Sequence, residues 1–370
     1  MKKTVLYIIE SLGLGGAEMM VVSQLAQVHK EYNIVLVILS PVNQFRPEQL
    51  VYDEFYCLNM KRKINVISAS KKLRQIIHKH DVALVHSVLF WSTIVARIAC
   101  GTRTPHICSL ATIMSRGAYS AKWYSGYTWL LDKMTYKKSE TLIGASHEVL
   151  KDFDEAIGIK GRQRVLHNFV NDEFFYNAIE YKNPETELKL VAVGNLKDEK
   201  NYQYLIDAFI LLKHDNVSID IYGQGNLYKP LQDQIDKLNI KINLKGLQNN
   251  IHKILPSYNA YVMCSKFEGF GIAAAEAMAI GLPLLLSDIA VLKEVSAGNA
   301  LYFDIGNPQD FVNIIRNILQ SKTDLICLSE KGKHIAKENY TKATYIKGLL
   351  EIFNQVITDK QNKAKAFAAA

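Results

Sequence analysis

The amino-acid sequence predicts an α/β protein made of two successive doubly wound parallel sheets. Three observations predict it. Short, nearly continuous Val/Ile/Leu runs alternate with stretches of helical length, the mark of parallel strands covered on both faces. The alternation stops at a polar segment and then restarts. The 370 residues, 49% of them hydrophobic, supply two cores at roughly 100–200 residues per domain.

In chain order, the first half offers strands at Thr4–Ile9, Asn33–Leu39, Val82–His86, His106–Leu110, Thr141–Ala145 and Arg164–Asn168. Helices fill Ala17–Lys30, Ser70–His80, Trp91–Cys100 and Ala121–Lys137. The second half repeats the theme with strands at Leu188–Val193, Val217–Tyr222, Ile242–Lys245, Ala260–Cys264, Pro283–Ser287 and Leu301–Phe303. Its helices are Tyr202–Leu212, Lys229–Leu238 and Ile272–Ala279. The segment 177–187, with Asn183-Pro184, reads as the linker. The domains are then 1–176 and 188–343. Helical stretches follow near Leu325–Glu338 and Thr344–Ile357, and the helix of about 344–358 is expected to pack back on the first domain. Ligands of such sheets lie beyond the carboxyl ends of the strands, so two facing halves would enclose a cleft.

Composition narrows the function classes. Five scattered cysteines include no C-x-x-C pair, which points to a reduced, metal-free chain in the cytoplasm. The apolar run after Lys2-Lys3 is cut by Glu10, too early for an export signal. The stretch 82–100 carries His86 and Arg97 and falls short of the ~20 clean apolar residues of a membrane span. The net charge of +8 is uneven: residues 1–175 hold 22 Lys/Arg against 15 Asp/Glu, and residues 176–370 hold 22 against 21. A basic half suits an anionic partner, and a solvated surface accounts for it equally. No nucleic-acid module appears, so nucleic acid is not an expected partner.

The motifs gather at strand ends. Gly13-Leu-Gly15-Gly16-Ala-Glu18 opens a helix after the first strand; such a loop lets backbone N–H groups approach a phosphate, and a plain tight turn uses the same residues. Glu18 stands where a dinucleotide fingerprint needs glycine. Gly194-Asn195-Leu196 ends another strand, with Lys197 and Lys200 close behind as point charges for a diphosphate or as a solvated loop. Tyr222-Gly223-Gln-Gly225 and Lys245-Gly246-Leu247 put more glycines at one sheet edge, as a ligand along that edge would require. The most specific run is Ser265-Lys-Phe-Glu268-Gly269-Phe270-Gly271, leading into a helix that carries Glu276. Donors at that helix start could hold an anion, and the two carboxylates could take hydroxyls; a capped amphipathic helix is the plainer account. Asp152-Phe-Asp154 has the D-x-D form of metal-using sugar transferases but reads as a solvated helix face. His78 and His80 lack a third ligand, and His86 is either a core histidine or a cleft group. No G-x-S-x-G, H-E-x-x-H or P-loop is present.

Taken together, Gly-Gly-Ala-Glu, Val-Gly-Asn-Leu before Lys200-Asn201, and Glu268 eight residues before Glu276 resemble glycosyltransferase family 4, over nearly the whole chain. The resemblance implies the GT-B fold and retaining transfer of a sugar from a nucleotide diphosphate sugar, with a UDP-sugar the expected donor, without a metal or other cofactor. It makes Glu276 the ribose ligand, Glu268 the carboxylate at the donor sugar, and Lys200 the phosphate lysine. Gly269, Phe270 and Gly271 would bring amides to the sugar and diphosphate. Gly246-Leu247 would seat the base, and Gly15-Gly16 would close over the diphosphate. The arginine partner of Lys200 falls at Asn195, so that role is missing or passes to Lys197. On the acceptor side, Ala111 stands where many members carry a cleft histidine, with His86 as the other candidate group.

The acceptor is expected to be a glycan or lipid-linked sugar in envelope synthesis. Residues 116–138 set Tyr119, Trp123, Tyr127 and Met134 at near-helical spacing among Lys122, Lys133, Lys137 and Lys138. That suits an anionic membrane surface and peripheral attachment at the inner face of the cell membrane; an aromatic stripe packed into the core is the competing account. A binding protein of this fold with little turnover, and a sugar-nucleotide epimerase, remain alternatives.

Overall fold

The computed structural model describes residues 2–60, 65–116, 125–158, 161–184 and 187–369. The chain forms two compact units, Met1–His167 with Tyr345–Ala370, and Asn168–Thr344. The first contains β1 (Thr4–Ile9), α1 (Gly16–Val28), β2 (Asn33–Ile38), β3 (Glu54–Cys57), α2 (Val66–Lys79), β4 (Val82–Val88), α3 (Phe90–Cys100), β5 (His106–Leu110), α4 (Ser125–Thr135), β6 (Thr141–Gly144), α5 (His147–Ile157) and β7 (Arg162–Val165). Its seven parallel strands run β3-β2-β1-β4-β5-β6-β7.

The second unit contains α6 (Asp172–Tyr176), β8 (Leu188–Val193), α7 (Tyr202–Leu211), β9 (Val217–Tyr222), α8 (Tyr228–Leu238), β10 (Ile242–Gly246), α9 (Ile251–Ile254), β11 (Ala260–Met263), α10 (Ile272–Ile280), β12 (Leu284–Ser287), α11 (Ala290–Val295), β13 (Leu301–Phe303), α12 (Pro308–Leu319) and α13 (Leu325–Asn339). Six parallel strands run β10-β9-β8-β11-β12-β13. The long α14 (Lys342–Ala369) follows. In both sheets the order reverses beside the first strand of the unit, between β1 and β4 and between β8 and β11. Outside the carboxyl ends of those strands, a doubly wound sheet offers its ligand crevice.

Hydrophobicity explains most elements. The central strands β1, β2 and β11 are buried almost end to end because helices cover both faces. Among the elements that the sequence reading left out, which also include α6, α9 and α11, two show why. The edge strand β3 buries none of its four residues, so Glu-Phe-Tyr-Cys carries no alternation to read. In α12, the Asn307 side chain caps the Gln309 N–H, Pro308 opens the first turn, and Phe311, Val312, Ile315 and Ile318 form the buried face.

The boundary falls earlier than residue 177. Val170 N–H donates to the Tyr340 carbonyl (2.8 Å), Ile179 N–H to Ile280 (2.8 Å), and the Tyr181 hydroxyl to Asn259 (2.9 Å). Phe174 and Tyr181 are buried. The segment read as a linker is thus bonded and packed onto the second unit, as is the α6 stretch that the sequence assigned to the first domain. Residues from Tyr345 onward belong to the first unit. Phe353 lies fully buried there against Tyr7, Tyr32 and His86, with ring centroids 5.4–6.2 Å apart. Tyr32 donates to Asn354 (2.7 Å), and Arg162 pairs with Asp359 (2.8 Å).

One buried charge cluster organises the same unit. The Arg97 guanidinium, 1% exposed, bonds Asp132 on α4 and both oxygens of Glu140, and lies over the Tyr136 ring. Burial alone would raise the Glu140 carboxyl, but Arg97 and then His106 hold it down at about 2.

Phe353→Ala removes a fully buried aromatic ring from the first unit and is expected to destabilise it by about 3–5 kcal/mol, read as a lower midpoint in urea unfolding. An unchanged midpoint would mean that α14 contributes nothing to that core.

Candidate functional site

At the β8/β11 reversal the second unit holds a largely buried ion pair. The β8 strand ends at Val193 and the chain turns through Gly194-Asn195-Leu196 toward Lys200. The neighbouring β11 ends at Met263 and leads through Ser265 to Glu268 and α10. Adjacent parallel strands therefore bring together two residues 68 positions apart: Lys200 Nζ lies 2.5 Å from Glu268 Oε1, with both side chains mostly buried. The Ser265 hydroxyl donates to the same oxygen (2.7 Å) and is itself fully buried. The two loops are stitched below this pair. The Cys264 thiol donates to the Lys200 carbonyl (3.1 Å), Lys266 N–H to the Glu199 carbonyl (2.8 Å), and Lys266 Nζ to both oxygens of Asp198 (2.8 and 2.9 Å).

Glycines shape the approach for two different reasons. Gly271 has φ +82°, and a Cβ there would press on Leu292 at 2.8 Å. The left-handed turn lets α10 start directly beside Glu268, with neither a side-chain cap nor an acidic residue in its first turn. The helix start therefore offers unneutralised N–H dipoles to an anion. Gly223 and Gly225, expected to line a ligand edge, permit close backbone packing. A Cβ at Gly223 would overlap the Gly194 carbonyl, and one at Gly225 the Leu196 carbonyl; Gly194 and Leu196 donate to Tyr222 and Gln224 (2.9 Å each).

The remaining candidates divide. Glu276 sits one turn into α10, partly buried, and burial pushes its carboxyl up to about 8. Asn195 and Lys197 are exposed, and Lys197 makes no ion pair among the described residues. Gly246 has φ +71° with open space around it, and Leu247 is 61% exposed. Gly269 lies in the loop between Glu268 and α10. The Phe270 side chain is not at the site: it is buried and meets the Tyr340 ring edge-on at 5.4 Å, so only its backbone could serve a ligand.

In the first unit, Gly15 and Gly16 stand at the start of α1, where a Cβ on Gly15 would strike the Glu18 carboxylate; that acid already occupies the first turn. His86 is buried, its Nε2 2.7 Å from Ser109 Oγ, and burial lowers its ring to about 3, so it is neutral. Ala111 follows β5 at the wall of a cavity that His86 does not line. The Asp152 and Asp154 carboxylates accept from Ser115 N–H (3.0 Å) and Gln163 (2.6 Å), each a local tie within the unit.

Sequence reasoning missed Ser265, Lys266 and Cys264 as supports, and also the tyrosines beneath the site. Tyr202 donates to the Gly194 carbonyl and Tyr261 to that of Val193 (3.3 Å each). Ser265, three residues before Glu268, was the one local signal; the others depend on strand neighbours.

Residues 14–174 match the family model "Glycosyltransferase Family 4", and residues 177–341 match "Glycosyl transferases group 1". The chain belongs to glycosyltransferase family 4. An uncharacterized glycosyltransferase of Methanocaldococcus jannaschii is 24% identical to it over 301 residues, 79% of this chain and 80% of that protein. A Campylobacter jejuni protein, N-acetylgalactosamine-N,N'-diacetylbacillosaminyl-diphospho-undecaprenol 4-alpha-N-acetylgalactosaminyltransferase, is 25% identical over 301 residues, 76% and 79% of the two chains. Among solved structures, Anabaena HepE in complex with UDP superposes with a TM-score of 0.78 at 18% identity, covering 96% of this chain and 100% of the other. WaaG, a glycosyltransferase involved in lipopolysaccharide biosynthesis, gives 0.69 at 13% identity, covering 95% and 99%. These likenesses establish the GT-B fold.

The aromatic and basic stretch 116–138 of this glycosyltransferase is only partly as expected. Residues 117–124, with Tyr119, Lys122 and Trp123, lie outside the described residues. On α4, Tyr127, Leu130 and Met134 are exposed (49%, 47% and 74%) at helical spacing, whereas Asp132 is buried on Arg97. Lys137 turns inward to the carbonyls of Arg97 and Gly101 (3.0 and 2.9 Å). Among the described residues, no helix is long and apolar enough to cross a membrane.

The Glu276 carboxyl yields a pH prediction. Below about pH 4.5 it is protonated in both folded and unfolded chains; between there and about 8 only the unfolded chain ionises, so rising pH withdraws stability from the folded state. Glu276→Gln, which cannot ionise, should melt above the wild type by a margin that grows across that window and levels off beyond it. A margin independent of pH, measured by scanning fluorimetry, would contradict the raised carboxyl.

Proposed function

We propose that this glycosyltransferase transfers a sugar from a nucleotide diphosphate sugar, UDP-linked, to a lipid-linked or glycan acceptor in cell-envelope glycan synthesis, with retention at the anomeric carbon and without a metal. The observation that carries the reading is the Lys200–Glu268 pair beside the uncapped start of α10. Cleaving a sugar–diphosphate bond leaves negative charge on the nucleotide diphosphate. Lys200 and the α10 dipoles would stabilise that charge as it develops, with Lys197 the nearby unpaired cation, and fixed donors of this kind usually supply the largest share of catalysis. Glu268, held by Ser265, would accept hydroxyls of the donor sugar once Lys200 turns to phosphate. Glu276 would take the ribose hydroxyls, and the open backbone at Gly246-Leu247 would meet the base. The UDP complex of HepE and the diphospho-undecaprenol acceptor in the name of the Campylobacter relative support the donor and acceptor classes.

Peripheral attachment belongs to the same proposal. Tyr127, Leu130 and Met134 form an exposed apolar stripe beside the exposed Lys133 and Lys138, on the half of the chain that carries most of the excess positive charge. An anionic bilayer surface complements both features.

Lys200→Ala is expected to lower kcat about 100–1,000-fold while weakening sugar-nucleotide binding much less. Equal losses in both would assign Lys200 to ground-state binding alone. In a thermal-shift panel of sugar nucleotides, a UDP-sugar is expected to stabilise most, by about 2.7 kcal/mol at a hundred times its Kd. Nucleotide binding without release of nucleotide diphosphate in the presence of acceptor would favour a binding protein over an enzyme. The protein should sediment with anionic vesicles at low salt and not with zwitterionic ones, and Met134→Glu should weaken that binding.

A further inference from the structure

Positive charge gathers in the first unit at the amino ends of its strands, the sheet edge away from the ligand crevice. There α14 packs across the starts of β5, β6 and β7 and leaves two adjoining cavities, of about 130 and 260 Å³. Arg162, Val356 and Asp359 stand in the walls of both. Lys137 and Lys360 also line the first, and Thr141, Gln355 and Ile352 the second.

The cations of the first cavity are not used up by their own bonds. Lys137 Nζ donates to the Arg97 and Gly101 carbonyls (3.0 and 2.9 Å), and Lys360 Nζ to that of Thr102 (2.8 Å). An ammonium has three N–H donors, so donors remain on both lysines. Arg162 gives Nη1 to Asp359 (2.8 Å), which leaves the rest of its five-donor fork for a second anion. Glu140, the other acid of this wall, is already held by Arg97 and His106. The charges left open are thus Lys137, Arg162 and Lys360 against Asp359. The second cavity differs. Thr141 is 3% exposed there, and its Oγ1 is buried with no hydrogen-bond partner. A buried hydroxyl without a partner is destabilising, and a ligand hydroxyl would satisfy it.

We propose that the two cavities form one binding site for a polyol phosphate, in which Lys137, Arg162 and Lys360 hold the phosphate and Asp359, Gln355 and Thr141 take the hydroxyls. The wall chemistry selects this class. A guanidinium fork flanked by point charges matches phosphate oxygens. A bare anion would leave Thr141 and the apolar Ile352 and Val356 uncovered, and a neutral polyol would leave the cations unmatched. The walls belong wholly to the first unit, whereas Lys200 and Glu268 belong to the second, so this site is separate from the donor site. Because Val356, Asp359 and Lys360 lie on α14, an occupant would also tie that helix to the strand starts.

The test titrates full-length protein by calorimetry with glycerol 3-phosphate and glucose 6-phosphate, with and without UDP, against sulfate, glycerol and glucose at matched ionic strength. At least one phosphate ester is expected to bind about tenfold or more tightly than sulfate, whether or not UDP is present. Thr141→Val, which keeps the shape and removes the hydroxyl, should weaken that binding about threefold or more, and Arg162→Gln about tenfold. Both variants should keep UDP affinity within about twofold. If Arg162→Gln, which also breaks the pair with Asp359, fails to fold, Lys360→Gln takes its place with the same expectation. Phosphatidylglycerol vesicles present the same groups on a lipid. Release of the wild type from them by glycerol 3-phosphate, lost in Thr141→Val, assigns the site to a lipid headgroup, and ester binding without such release assigns it to a soluble phosphate. A wild type that binds neither ester better than sulfate, ester affinity unchanged in both variants, or ester binding that UDP abolishes overturns the proposal.

Discussion

The ion pair between Lys200 and Glu268 depends on a constraint set by the parallel sheet. Strands β8 and β11 are hydrogen-bonded neighbours pointing the same way, so the loops that leave them emerge side by side. Helices α7 and α8, β9 and β10 all intervene in sequence, yet the two charged groups meet at 2.5 Å. Opposite charges held largely out of water need bonds to their remaining polar atoms, and Ser265 supplies one to the carboxylate. The rest of the site follows from that junction. Cys264 and Lys266 tie the loops together, and Gly271 allows α10 to begin immediately beyond Glu268.

The two units solve the same problem with different chemistry. Each is doubly wound, and each reverses its strand order beside its first strand. In the second unit that place carries a cation, carboxylates and a helix start without an acid of its own. In the first, Glu18 already lies in the opening turn of α1, and the reversal is lined instead by Glu10, Leu89 and the end of β5.

The buried charges of the first unit show a different use of polarity. Arg97 joins α3 to α4 and to the Glu140 turn, and its bonds to Asp132 and Glu140 fix where α4 lies. Because Asp132 faces inward, Leu130 and Met134, two residues to either side and so on the opposite face of the helix, are turned to solvent. The exposed stripe on α4 is a consequence of that anchoring, which no hydrophobic pattern within the helix announces.

Local regularity was legible in the sequence. Apolar runs located the central strands because burial on both faces leaves a continuous signature, whereas the half-exposed β7 lies at Arg162–Val165, two residues before the Arg164–Asn168 expected; Glu268-Gly269-Phe270-Gly271 with Glu276 marked the charged loop because strand end, glycines and helix start are contiguous. Edge strand β3 escaped because exposure erases the signature. Only the tertiary structure decided which glycines are held by close packing, that Asn168–Tyr181 joins the second unit, that Phe270 faces the core, and that Lys200 meets Glu268. The physical reason is the same throughout: periodicity reports how a segment meets its own solvent and core, whereas contacts between segments depend on strand order, which is settled only when the whole sheet assembles.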